Sequence, residues 1–389
     1  MIQRVLKFIE RLGNLVCLLL PVALTAAPAA VAQAPGPDKA AALARDGKLP
    51  AAEQEWRAWL KSNPKDAAAF ASLGVVLSKE NKYREAATAY RQALALNPKL
   101  PGIQLNLGLA EFKGQKFQDA IDSFRAVLKE DPQNQQARTL LGLSYYATGQ
   151  LAEAAEHLAV ASQADPENVE IHNVLAQCCL SAKKFDCALR EFTWIMKQNP
   201  DSPNAHMLMG QALDGLKRTD DAIAEFQLAA KADPRASNVY FGLGYLYWKS
   251  GRYDQAATNF EKQLSIDPEN PEALTYLADV ELKRNNFEKA LTLLNHAVRL
   301  RQDIRLAYLD LGAVCTELHR YDEALIALQH AEKLDPNQID VHFRLGSLYK
   351  AMGKSEDSQK EFAKIKALQK RAEDDLADRM NGPRPAPQN

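Results

Sequence analysis

Apolar residues recur every three or four positions along most of the chain, in paired runs with a polar turn between them. Ile103, Leu107 and Ala110 mark one first run; Phe117, Ala120, Ile121, Phe124, Val127 and Leu128 mark the second run that follows. Spacings of three and four place these side chains on one wide helical face, so each pair of runs predicts two amphipathic helices packed together. Gly47, Gly149, Gly251 and Gly353 hold the turn between runs, with Gly114 one place earlier in its frame. Glycine is favoured just past a helix end because it adopts a positive φ without steric cost. Eight of the ten second runs close on Asn-Pro or Asp-Pro, where proline can neither donate an N–H nor suit the preceding helical turn.

These closing prolines are periodic. Pro64, Pro98, Pro132, Pro166, Pro200, Pro234 and Pro268 follow one another at steps of 34 residues; Gln302 and then Pro336 occupy the next two slots. Units beginning at 33, 67, 101, 135, 169, 203, 237, 271, 305 and 339 keep the frame without insertion or deletion. Slot 8 is Gly or Ala in every unit, as at Gly74, Gly108, Ala176 and Gly244. Slot 20 is Ala from Ala52 to Ala324 and then Ser358. Slot 24 is large, as at Tyr90, Phe124, Phe226 and Phe260. A small slot facing a large one lets two helices approach closely. Pro101, Pro203 and Pro271 are expected to open first helices, where a missing N–H costs nothing.

The slot pattern resembles the tetratricopeptide repeat family, whose signature is an aromatic, Leu-Gly, Tyr, then Ala, Phe, Ala and Pro over the same period. Tyr240, Leu243, Gly244, Tyr247, Gly251, Tyr253, Ala256, Phe260 and Pro268 carry it most fully. Glu111 and Glu281 depart from it at slot 11, Gln263 at a slot usually Ala, and Gln302 and Lys370 at the Pro slot. The resemblance covers 33–372. It implies an all-α fold, an α-solenoid in which antiparallel helix pairs stack as a right-handed superhelix with first helices on the concave side. One hairpin cannot bury both faces, so neighbours must stack, and the first and last units read as end caps. Residues 35–372 are assigned to this solenoid and 373–389, Pro-rich at the end, to a disordered tail.

Composition adds the compartment. Arg4, Lys7 and Arg11 precede the apolar run Leu15–Ala27, and an Ala-x-Ala ending stops at Ala34. That order reads as a secretory signal peptide over 1–34, cut near Ala34, which places the protein in the periplasm or outside the cell. The alternative is an uncleaved inner-membrane anchor; Pro21, Pro28 and the small residues argue against a spanning helix. The formal net charge of −1 and the lack of a basic run exclude a field that steers nucleic acid.

Candidate chemistry is sparse. No Gly-x-Ser-x-Gly, glycine-rich phosphate loop or His-Glu-x-x-His occurs, and no cofactor or catalytic residue is assigned. His172, His206 and His342 share slot 4. Successive units lie about 10 Å apart against metal bonds of about 2 Å, so they read as packed helix-face residues and no metal is expected. Cys178, Cys179 and Cys315 fall on core slots, whereas Cys187 sits where other units are polar. In an exported protein such a thiol pairs or reacts; a Cys178–Cys187 disulfide is conceivable, with four free thiols as the alternative.

The resemblance also implies where a partner lies: against first helices, at slots near 2, 5, 9, 12 and 13. The candidates there are Phe112, Tyr146, Met207, Phe241, Tyr245, Trp248 and Lys249. Phe241, Tyr245 and Trp248 share one helix face, where exposed aromatics concentrate binding energy; the alternative is that these rings fill gaps between units. No unit supplies the Lys and Asn with which some members of the family clamp a terminal carboxylate. The expected function is an exported scaffold for a protein or peptide, with no nucleic-acid partner and no enzyme activity. A scaffold subunit of a polysaccharide- or outer-membrane-export complex is the alternative, and a substrate-guiding array of an enzyme is disfavoured because the repeats leave no room for a catalytic domain.

Overall fold

A computed structural model describes residues 36–381; the signal-peptide assignment over 1–34 lies outside them. Among the described residues there are twenty helices and no strand, in two compact units that divide between Pro200 and Asp201. None of the described helices is long and apolar enough to cross a membrane.

The repeat frame sets the helix boundaries. Second helices begin at slot 17 in all ten repeats, as in Leu49–Ser62, Phe117–Glu130, Tyr253–Ile266 and Tyr321–Leu334. Seven of the first helices begin at slot 1, among them Ala67–Lys79, Pro203–Gly215 and Pro271–Lys283. Five of these starts are capped by slot 34 of the preceding repeat: the side chains of Asp66, Asn134, Asn168, Ser202 and Asn270 accept the N–H three residues on, whereas Ile304 and Gln338 make no such bond. Such a cap satisfies one otherwise orphaned donor and contributes about 1 kcal/mol. Repeats three and seven have Leu100 and Ala236 at that slot. Their first helices start two residues late, at Ile103–Lys113 and Val239–Lys249, after left-handed Gly102 and Asn238. Pro203 and Pro271 therefore open helices as expected, but Pro101 does not.

Slots 8, 20 and 24 form the core within each hairpin. Ala86, Ala120, Ala154, Ala222 and Ala256 are fully buried, as are Tyr90, Phe124, Leu158 and Phe260. A Cβ on Gly244 would stand 2.6 Å from Phe260, and one on Gly312 2.4 Å from Leu328, distances no real side chain tolerates. Full burial of a Phe such as Phe124 contributes about 2–3 kcal/mol.

The turn corrects one expectation. Slot 15 is the left-handed residue in every repeat: Gly47, Gly149, Gly251 and Gly353, but also Asn81, Gln115, Lys183, Lys217, Asn285 and His319. Gly114 has an ordinary φ of −76°, and Gln115 after it takes the strained conformation.

The cysteine pairing is also corrected. Cys179, not Cys178, bonds Cys187, with Cα atoms 5.8 Å apart; Cys178 and Cys315 are free and buried. The reason is a contact that recurs between slots 11 and 19. In repeat eight the same two slots hold Glu281 and Lys289, paired at 3.0 Å. Slot 10 points into the core, where Cys178 is wholly buried and its thiol pKa is pushed up to about 12 by desolvation.

The second helix of repeat ten runs as Ser355–Asn381, so the segment assigned as a disordered tail is helical through 381; 382–389 lie outside the described residues. Lys370 stands at the slot of the closing Pro, so the helix meets no proline there to end it.

Candidate functional site

Repeats seven and eight bring four aromatic rings together on the face of their first helices. Phe241, Tyr245 and Trp248 project from Val239–Lys249 and Tyr276 from Pro271–Lys283, and all four are half-buried. Tyr276 is the hub: its ring centroid lies 6.0 Å from Phe241, 5.5 Å from Tyr245 and 4.9 Å from Trp248, edge-on in each case. Edge-to-face pairs at these distances each contribute about 0.5–1.5 kcal/mol beyond area burial. Underneath, the buried Gln263 accepts a 3.2 Å bond from the Phe241 N–H, a first-turn donor that no cap satisfies. That explains an amide at a slot usually Ala.

Acidic groups adjoin the rings. The Trp248 Nε1–H donates to Asp279, and the Lys283 ammonium pairs with the same carboxylate. Lys283 Nζ also lies 5.9 Å from the Trp248 ring centroid. Asp310, on the first helix of repeat nine (Arg305–Glu317), is 3% exposed, and its Oδ2 accepts no hydrogen bond. Burial, reinforced by Asp279, pushes its carboxyl well above the usual range against the pull of Lys283, Arg344 and Arg305. Tyr276 rises to about 12, first through burial and then through Tyr245, Asp279 and Asp310, so these groups converge.

The other candidates stand apart. Phe112 and Tyr146 are 3% and 8% exposed: Phe112 packs edge-on against Phe117 at 5.5 Å, and the Tyr146 hydroxyl donates to Gln177 at 2.9 Å. They pack between helices instead of standing open to a partner. Met207 is half-buried, and Lys249 is exposed and paired with Asp214 at 2.7 Å. Tyr276, Asp279 and Asp310 were not among the candidates read from sequence. The signal was available: each lies 31 residues after Tyr245, Trp248 or Asp279, the step that joins adjacent first helices.

The slot-4 histidines are structural. His172, His206 and His342 each turn Nδ1 to a glutamate at slot 23, Glu191, Glu225 and Glu361, at 2.5, 2.7 and 2.7 Å. The Nε2 of His172 and of His342 donates to the closing-Pro carbonyl of the preceding repeat, at Pro166 and Pro336. Glu332 adds a second carboxylate within reach of His342, forming the one three-ligand group among the described residues with metal-like spacing. The Lys364 ammonium bonds both carboxylates there, at 3.0 and 2.9 Å, and so balances their charge.

Comparison with known proteins bears on the whole array. Family profiles described as tetratricopeptide repeat match residues 38–101, 74–135, 111–178, 145–212, 180–244 and 247–311, and one described as TPR repeat matches 312–353. No curated protein matches. Among solved structures, the Cut9–Hcn1 hetero-tetramer of the APC/C superimposes with a TM-score of 0.51 at 15% identity, over 85% of this chain and 79% of that one. Yeast Tom70 covers 85% of this chain and 91% of its own at 16% identity, with a TM-score of 0.40. YrrB, a TPR protein with an unusual peptide-binding site, is 25% identical over 46% of this chain and 92% of its own, with a TM-score of 0.39. The likeness to Cut9–Hcn1 concerns the fold alone.

Proposed function

The chain belongs to the tetratricopeptide repeat family, and from that premise we propose that it is a binding scaffold which holds an extended protein segment against the first helices of repeats seven to nine. One observation carries the reading. Phe241, Tyr245, Trp248 and Tyr276 form a continuous cluster of half-exposed rings, the kind of surface on which binding energy concentrates. The scaffold does no chemistry of its own and works outside the cytoplasm. The basic-then-apolar start with its Ala-x-Ala ending supports export, and so does the Cys179–Cys187 disulfide, because such bonds persist in oxidising compartments.

Peptide-display selection on the full chain tests the binding. Selected peptides are expected to lose at least about tenfold in affinity with Tyr245→Ala, a hot-spot effect of about 1.4 kcal/mol or more. Unchanged affinity in that variant, with helicity retained, would place the binding surface elsewhere. Intact mass of the protein recovered from cells tests export: a chain beginning at residue 35 is expected, and one retaining Met1 to Ala34 would remove the cleaved-signal reading.

A further inference from the structure

We propose that the box formed by Tyr245, Trp248, Tyr276, Asp279 and Asp310 takes one basic side chain, a guanidinium or ammonium group, of the bound protein segment. This rests on the peptide-binding reading and specifies the chemistry of the partner.

Asp310 supplies the strongest argument. A buried carboxylate oxygen without a donor is costly, and native structures leave few such atoms without a reason. Among the described residues no side chain donates to its Oδ2. Lys283 spends its ammonium on Asp279 and Arg305 pairs with Asp340 at 2.7 Å, while Arg344, on the first helix of repeat ten, pulls on Asp310 only through space and leaves Oδ2 without a donor. Burial and the adjoining Asp279 both oppose ionisation of Asp310, and an entering cation would offset that cost.

The rings give a second, independent argument. Faces of Trp and Tyr attract cations within about 6 Å of the centroid. The molecule already demonstrates this, since Lys283 Nζ rests 5.9 Å from Trp248 and 5.7 Å from Tyr253. Its side chain is 37% exposed and sits on a flexible stem, so it can swing aside for a ligand cation. A partner's carboxylate would meet two acids here and be rejected.

Arginine keeps its charge across the accessible pH range, so any pH dependence of its binding comes from the protein. The groups facing Asp310 are Asp279, Tyr276, Lys283, Arg305 and Arg344. A cation favours the ionised form of Asp310, so binding releases its proton and tightens as pH rises.

Three capped pentapeptides, identical except for a central arginine, citrulline or glutamate, make the test when titrated into the full chain. The readout is the Trp248 indole N–H resonance, assigned with Trp248→Phe. The arginine peptide is expected to bind at least about tenfold more tightly than the citrulline peptide, and more tightly at pH 7.5 than at pH 5. Asp310→Asn, which keeps the side-chain shape, should reduce arginine binding about fivefold and flatten that pH dependence. Equal binding of arginine and citrulline peptides, which needs no variant, would overturn the basic-residue proposal while leaving a peptide-binding face. Undiminished arginine binding by Asp310→Asn would overturn it too. If no peptide of any charge perturbs Trp248, the proposal and the scaffold reading on this face both fall.

Discussion

Tyr146 and Trp248 occupy the same slot of repeats four and seven, and each donates to the side chain 31 residues later. For Tyr146 that acceptor is the neutral amide of Gln177; for Trp248 it is the carboxylate of Asp279. Around Tyr146 the face is closed, with Leu140, Leu143 and Tyr145 buried beside it. Around Trp248 the rings stay half-open, Lys283 adds a charge and Asp310 lies beyond. The repeat frame therefore fixes where a donor meets its neighbour, whereas the identity of the acceptor decides whether the contact is packing or an electrostatic site.

The largest expected effect separates these two donors. Trp248→Phe keeps a ring but removes the N–H that bonds a charged acceptor, and should cost about 2–3 kcal/mol. Tyr146→Phe removes a hydroxyl bonded to a neutral amide and should cost about 1 kcal/mol. Urea unfolding with a fixed m-value measures both. Equal losses would mean that the carboxylate adds nothing, and the comparison would fail.

Asp310 sharpens the contrast: it lies two repeats beyond Trp248, and the matching slot 6 two repeats beyond Tyr146 holds the apolar Leu208. The native carboxyl of Asp310 binds its proton more tightly than the unfolded chain does, whose value lies near 3.9. The fold therefore retains a proton that the unfolded state gives up above about pH 4, and stability falls as pH rises from there through the raised native value. Asp310→Asn removes that titration. It should match the wild type near pH 3.5 and exceed it at pH 7 by about 1–2 kcal/mol, part of the cost of an unpartnered buried group. A difference that is the same at both pH values would show that the carboxyl is not the source.

Much of this was legible in the sequence. The 34-residue frame located all ten turns between paired helices, because small slots 8 and 20 and large slot 24 admit one packing. Trp248, Tyr245 and Phe241 were legible as a shared face because their spacing lies on a single helix. Asp279 and Asp310 were not, since their meeting depends on the offset between neighbouring first helices and not on spacing within one. Cys179 was misread for a related reason: the contact between slots 11 and 19 is a feature of the hairpin, visible only once Glu281 and Lys289 are seen to share it. Glu111 and Glu281 broke the apolar pattern without explanation. In the fold, Glu111 accepts from Ser123 and Arg91, and Glu281 from Asn286, Lys289 and Arg284. Gln302 lacks the proline yet its helix still ends at Leu300, because Arg305 begins a helix that must fold back onto it.

The smallest effect serves as a control on the two faces. Lys183 and Lys217 hold the left-handed turn slot of repeats five and six, at φ of 58° and 62°. A lysine there carries a Cβ clash that glycine lacks, of about 1–2 kcal/mol, and glycine returns part of it through greater freedom in the unfolded chain. Lys183→Gly and Lys217→Gly should therefore each stabilise by about 0.5–1 kcal/mol in urea unfolding. Neither turn belongs to the aromatic box, so the affinity of the arginine peptide should stay unchanged in both. If Lys217→Gly alters that affinity as much as Asp310→Asn does, then losses at the box report general stability, and the distinction between a packed face and a binding face would have no energetic basis.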